Sequence, residues 1–155
     1  MKWYITPLVG ANNIKFGMTR EEVRKLVNLP YTEFYKGKST VPTDDYKYFH
    51  AFYDAEDKLE ALEFFNDEED KLEALEFFDD EEDKLEALEF FNKVELIYKE
   101  INMFSLTQEG ILSLFEEIEV DGEYLTDIAY SIGIFIPEDE QNPEAILIGK
   151  KDYYV

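Results

Sequence analysis

Asp54-Ala55-Glu56-Asp57-Lys58-Leu59-Glu60-Ala61-Leu62-Glu63-Phe64-Phe65-Asn66 is followed at once by two near copies, 67–79 and 80–92. The three units differ only at Ala55/Glu68/Glu81 and Asn66/Asp79/Asn92. A period of 13 residues marks one structural element copied in place, and the fold depends on what that element is. Glu, Lys, Leu and Ala are strong helix formers, and Leu59, Leu62 and Phe65 fall near one another on a helical wheel. A helix nevertheless advances by about 1300° over such a period, about 220° past whole turns, so successive units would aim their apolar residues in different directions. A strand of about seven or eight residues and a turn of about five fill the same period without that conflict. The expectation is therefore a strand-turn unit, with helix as the rival.

Outward from the repeat, Asp45-Tyr46-Lys47-Tyr48-Phe49-His50-Ala51-Phe52-Tyr53 is rich in aromatics suited to a pleated surface and reads as the preceding strand. Asp54 to Lys58 has tight-turn chemistry, with Asp57 able to take a left-handed conformation, and Leu59 to Phe65 returns as the partner strand. In an antiparallel meander one extra strand reverses everything downstream, whereas two restore the direction. Two copies were added, so Lys93 to Tyr98 enters the next strand pointing as it would in a parent lacking 67–92.

Elsewhere, Thr19-Arg20-Glu21-Glu22 is a capping box that opens a short helix carrying Val23, Leu26 and Val27, stopped before Pro30. Ser105-Leu106-Thr107-Gln108 reads as a second box, with a helix over about 106–118 carrying Ile111, Leu114, Phe115 and Ile118. Asp121-Gly122 marks a turn, Ser131 to Ile136 a buried strand, and Ala145 to Gly149 its hairpin partner. The reading is one α+β domain over 1–155, with 54–92 as triplicated units inside it: a mostly antiparallel sheet, a meander extended by two repeated strands, with two amphipathic helices. Two added strands widen the sheet by about 10 Å while its helices are not copied, which predicts a bare apolar face. Such a face would seat a second copy of the chain, giving a homo-oligomer, or lie under a rearranged helix.

The parent of 129 residues is long enough for one core, and 45% apolar residues with 13 Phe and 11 Tyr exclude a disordered polymer. Of the net charge of -22, units two and three hold -11, so the parent holds the other -11. A field of that sign repels nucleic acid and anionic membrane and favours a basic protein partner. Without cysteine there are no disulfides or thiolate metal sites. The opening residues lack the apolar run of a secretory signal, and the chain reads as cytoplasmic.

Catalytic chemistry has little to stand on. The single His50 lies in the aromatic strand beside Tyr48 and Phe52, a structural setting. An EF-hand register from Asp79 puts Lys84 where glycine is needed and Phe90 where the bidentate glutamate belongs. No GK[ST] phosphate loop occurs, and 37 acidic residues make some carboxylate pair inevitable in any fold. No enzyme, cofactor or metal is expected.

Ile14 to Leu26, the Phe52-Tyr53-Asp54 … Asp57-Lys58-Leu59-Glu60-Ala61-Leu62-Glu63-Phe64-Phe65 hairpin and the closing Gly149-Lys150-Lys151-Asp152-Tyr153-Tyr154 carry a resemblance. Together they resemble small bacterial proteins found beside polymorphic toxins and taken to be their immunity proteins. The helix start alone is similar to beta-lactamase-inhibitor-like and outer-membrane assembly lipoprotein domains, but the lipidated cysteine of the latter is absent. What the resemblance implies is an acidic, non-enzymatic domain that neutralises a basic toxin such as a nuclease, which agrees with the charge. Candidate partner-binding residues are the acidic loops holding Asp44 and Asp45 and holding Glu138, Asp139 and Glu140. The competing expectation is an engineered or recombined chain whose near-perfect repeat tests how far a sheet can be extended, with no activity.

Overall fold

The computed structural model describes residues 2–64 and 87–154. The chain opens with β1 (Lys2–Thr6), where Trp3 and Ile5 alternate inward, then β2 (Gly10–Ala11) and β3 (Ile14–Lys15). Gly10 is required between these hairpin strands, since a Cβ there would lie 2.0 Å from the Ile14 carbonyl oxygen.

Helix α1 (Arg20–Val27) starts as the sequence predicts: the Thr19 side chain accepts from the Glu22 N–H and the Glu22 carboxylate accepts from the Thr19 N–H. Its inward face is Arg20 and Val23, with Val27 partly buried, whereas Leu26 is exposed, so the apolar stripe is narrower than expected. Asn28 ends it in the left-handed conformation at φ 50°.

Next come β4 (Tyr31–Phe34), β5 (Thr43–Tyr46), β6 (Phe49–Tyr53) and β7 (Leu59–Phe64). The single strand expected over 45–53 is two strands folded back at Lys47-Tyr48. No Gly, Asn or Pro marks that turn; Tyr46 stacks on Phe49 across it with centroids 4.7 Å apart, and both are buried, against Tyr31 at 5.9 Å and Trp3 at 6.1 Å. The β6–β7 hairpin is antiparallel, as expected, with Asp57 at φ 63°. Asp54 closes its turn by accepting from the Glu56 and Lys58 N–H groups at 2.9 Å each. The same turn anchors α1, because the Asp57 carbonyl accepts from the Arg20 N–H and Leu59 exchanges hydrogen bonds with Gly17 and Met18.

Strand β8 (Ala87–Phe91) belongs to the third unit, and it corrects the expected antiparallel meander. It lies directly beside β7 and runs parallel to it, Leu62 opposite Leu88 and Glu63 opposite Glu89. Partners are 26 residues apart, two periods of the repeat, so equivalent positions face each other. The physical reason is matching patterns: parallel, in-register pairing keeps the inward residues of both copies on one face. The second unit, and with it the middle rung of the meander, lies outside the described residues.

Beyond it come β9 (Glu95–Tyr98), β10 (Ile101–Asn102) and a 3-10 turn at Met103–Ser105. Helix α2 (Gln108–Leu114) is shorter than predicted, and Thr107, not Ser105, caps it by accepting from the Gly110 N–H. Ser105 belongs to the 3-10 turn, where its hydroxyl donates to the Asn102 carbonyl. The chain closes with β11 (Glu119–Asp121), β12 (Tyr124–Asp127), β13 (Ile132–Phe135) and β14 (Ala145–Gly149), successive antiparallel neighbours.

Among the described residues, two helices accompany two sheets of α+β class. A five-stranded sheet has the order β10-β9-β1-β2-β3, parallel only at β1·β9. The larger has the order β11-β12-β13-β14-β8-β7-β6-β5-β4, parallel only at β7·β8. The core links them: Trp3 of β1 meets Phe49 and Phe90 at 6.1 and 6.0 Å. The bare apolar face expected of a widened sheet is not found on β7 and β8, since Leu62 and Leu88 are buried on one side and Ala61, Glu63 and Ala87 on the other.

The parallel junction has a direct check in this cysteine-free chain. A Glu63→Cys/Glu89→Cys variant should close a disulfide on mild oxidation, seen as faster migration on a non-reducing gel. A meander with a strand between the two would hold them about 10 Å apart and give no link.

Candidate functional site

The five residues expected to meet a partner separate into two places. Asp44 and Asp45 are in β5, not in a loop, and Asp44 is fully buried. Arg20 Nη1 reaches Asp44 Oδ1 at 3.0 Å, and Arg24 grips both carboxylate oxygens, Nη2 to Oδ1 at 2.6 Å and Nε to Oδ2 at 2.8 Å. The Tyr53 hydroxyl donates to Oδ2 at 3.3 Å. Arg20 also bonds Asp57 and the Pro42 carbonyl, both at 2.7 Å, and Arg24 pairs with Glu33. The two guanidinium groups lie 4.1 Å from the ring centroids of Tyr53 and Tyr31. The hydrogen bonds to Asp44 hold the Arg24 guanidinium more firmly charged than usual, while burial and then Asp44 push the Tyr53 phenol up and bring that of Tyr46 to about 12. A carboxylate shared by two arginines with four-cornered hydrogen bonding ties α1 to β5 and offers nothing to a basic partner.

Asp45 opens a second arrangement that the sequence alone does not reveal. Across the larger sheet, Asp45 faces His50, His50 faces Glu63, and Glu63 faces Glu89, one ionisable residue from each of β5, β6, β7 and β8. His50 is fully buried, with Nε2 3.3 Å from Asp45 Oδ1 and its ring 4.8 Å from that of Phe34. Lys36 brings its ammonium over the row, 3.6 Å from Glu63 Oε2 and 4.4 Å from the Phe52 centroid. Burial, opposed by Lys36, raises the Glu63 carboxyl above its ordinary value of 4.5. Burial and then the Glu63 charge, again against Lys36, push the Glu89 carboxyl up to about 7. Burial, against the pull of Glu63, lowers the Lys36 ammonium. The signal was in the repeat, because in-register parallel copies set identical glutamates side by side; an antiparallel reading hides it.

The remaining candidates form the exposed face. Glu138, Asp139 and Glu140 are exposed in the β13–β14 loop. The pairings Tyr124–Phe135, Phe135–Ala145 and Ala145–Phe91 bring the Asp121-Gly122-Glu123 turn and Glu144 to the same end of the sheet. Backbone bonds fix them there: Ile136 N–H to the Glu123 carbonyl at 2.8 Å and Asn92 N–H to the Glu144 carbonyl at 3.2 Å. The Asn142 amide donates to the Leu106 carbonyl at 3.1 Å, tying the loop to the approach to α2. Between them opens a cleft of about 390 Å³ lined by Asn92, Asn102, Phe104, Ser105, Glu140, Asn142, Pro143 and Glu144, with no basic residue among the described lining residues. Two carboxylates among amide and hydroxyl oxygens suit a guanidinium or ammonium group.

Among the described residues no group of three His, Cys, Asp or Glu side chains could hold a metal, and the EF-hand register at Asp79 lies outside them. No helix among them is long and apolar enough to cross a membrane. No family model, curated protein or solved structure matches the chain.

Two outcomes follow from the buried charges. Asp44→Ala leaves two arginines without their buried counter-ion and should cost about 3–5 kcal/mol in urea unfolding. The Glu89 carboxyl is raised on folding, so its stabilising effect is complete below about pH 4.5 and is lost as pH rises through about 7. Glu89→Gln should therefore be more stable than the unmodified chain at pH 8, with the difference vanishing near pH 4.5, as read from urea midpoints across that range.

Proposed function

We propose that the chain is a non-enzymatic protein-binding domain that neutralises a basic protein partner, as immunity proteins do toxins, and that it does so in the cytoplasm. The observation that carries this reading is the gathering of Asp121, Glu123, Glu138, Asp139, Glu140 and Glu144 at one end of the larger sheet, around a cleft with no basic residue among its described lining residues. A basic side chain entering that cleft exchanges water for charge-assisted hydrogen bonds, and the surrounding negative field accelerates encounter and disfavours acidic partners. Both arginines of the chain are bound to Asp44, so the outward positive charge is lysine alone.

A second reading, an engineered or recombined chain that lengthens a sheet by repeated strands without activity, is favoured by one observation. The first and third units pair at equivalent positions, as copied strands do when nothing but their own pattern selects the register.

The two readings part on binding. Basic toxin domains, nucleases among them, should be retained by the full chain and by the 129-residue form lacking 67–92. A Glu138→Lys/Asp139→Lys/Glu140→Lys variant should lose about tenfold or more in association rate at low salt. Retention by neither form removes the inhibitor reading, and retention by the shorter form alone favours the structural one.

A further inference from the structure

The face of the larger sheet opposite the core carries a trough of about 350 Å³ that reaches the acidic end at Tyr124, Phe135 and Ala145. Its floor crosses three strands along one row of the ladder, Glu89 of β8, Leu147 of β14 and Gly133 of β13. One wall is Tyr124 and Phe135, a tilted pair with centroids 5.1 Å apart. The other is the tail pair Tyr153 and Tyr154, edge to face at 5.0 Å.

The tail is seated by glycines. A Cβ at Gly133 would lie 1.9 Å from the Tyr154 hydroxyl oxygen, and one at Gly149 would lie 2.6 Å from Tyr153 Cβ. Any larger residue at either strand position therefore displaces an aromatic ring, and the two glycines together are what let the tail stand as a wall.

The chemistry of this enclosure is specific. Four aromatic rings and Leu147 make an apolar slot of a size to take a molecule of about a dozen heavy atoms. Among the described residues a single charged one, the carboxylate of Glu89, lines it. Lys36, which acts on the Glu89 charge, sits 3.6 Å from Glu63 on the neighbouring strand. Tyrosine and phenylalanine faces attract cations, and a carboxylate in an apolar slot gains most from a cation that brings its own apolar body.

We propose that this trough binds a small organic ammonium, with the charged nitrogen on Glu89 and an aromatic or aliphatic body between the Tyr124–Phe135 and Tyr153–Tyr154 walls. Among the described residues the trough shares no lining residue with the acidic cleft, and its ligand does not depend on the partner proposed there. The groups facing Glu89 among the described residues are Glu63 from β7, Lys36 from the segment after β4, and Tyr154 from the tail. Leu147 faces it from β14.

Phenethylammonium, with 2-phenylethanol as its neutral counterpart, is the probe. Titrated into the full chain at pH 8 and followed by heteronuclear NMR, the ammonium should bind saturably and at least about tenfold more tightly than the alcohol. Glu89→Gln should bring the two probes to parity. Gly133→Val, which forces Tyr154 off the sheet, should abolish binding of both while leaving the far-ultraviolet circular dichroism unchanged. Affinity for the ammonium should also fall as pH drops from 8 to 6, because the Glu89 carboxyl takes up its proton near 7 and a primary ammonium stays charged throughout. Equal affinity of the unmodified chain for the two probes, no binding of the ammonium at millimolar concentration, or undiminished binding by Glu89→Gln overturns the proposal. The two-probe comparison on the unmodified chain decides the matter even where a variant does not fold.

Discussion

The parallel pairing of β7 with β8 is the constraint on which the rest of the larger sheet depends. On one side of that junction stand β4 to β7, built by consecutive hairpins from residues 31–64. On the other stand β8 and β11 to β14, from residues 87–149. Each half has its own antiparallel ladder, and one seam between two copies of the same strand joins them. That seam needs no specially matched partner, since a strand whose pattern suits the core in one register suits it again beside its own copy. It carries a cost of another kind: identical neighbours put like charges opposite each other, and here Glu63 meets Glu89 on a largely buried face. Lys36 answers one of the two charges, and the proton held by Glu89 near neutrality answers the other.

Much of the local structure is legible in the residues because local chemistry decides it. The Thr19/Glu22 capping box, the left-handed Asp57 in a turn closed by Asp54, and the antiparallel β13–β14 hairpin all follow from groups within a few residues of one another. What escapes is settled by distant partners. The turn at Lys47-Tyr48 lacks turn residues, and its flanking Tyr46 and Phe49 are buried against Tyr31 and Trp3, far off in sequence. Asp44 looks like surface acid until α1 brings both arginines onto it. The ladder from Asp45 to Glu89 spans four strands and 44 residues of sequence, and only the parallel seam completes it. Of the candidate partner face, Glu138, Asp139 and Glu140 were legible as a loop; their company with Asp121, Glu123 and Glu144 is a product of strand order.

Strong acidity and a stable interior coexist because the basic residues are unevenly used. The chain has two arginines, and both are directed at Asp44, where planar guanidinium groups can share one carboxylate and lie against tyrosine rings. Apart from Lys36, packed against Glu63, most of the described lysines are left to the outside, where a flexible ammonium balances the field only weakly. Glu138, Asp139 and Glu140 consequently face solvent at a sheet end whose cleft contains no counter-charge.

The repeat bears on the trough in a way that its acidity does not suggest. Glu89 occupies the same place in its unit that Glu63 occupies in the first, so a chain without 67–92 would still have a glutamate to set opposite Leu147 when its β7 takes the place of β8 beside β14. The aromatic walls and the glycines beneath the tail lie in 124–154, outside the repeat altogether. The repeat sets the slot's neighbourhood: a second buried carboxylate, Glu63 of the first unit, stands one strand away from Glu89 of the third. Burial first, and then that neighbour's charge, raise the proton affinity of Glu89, which puts the charge of the slot under the control of pH near neutrality.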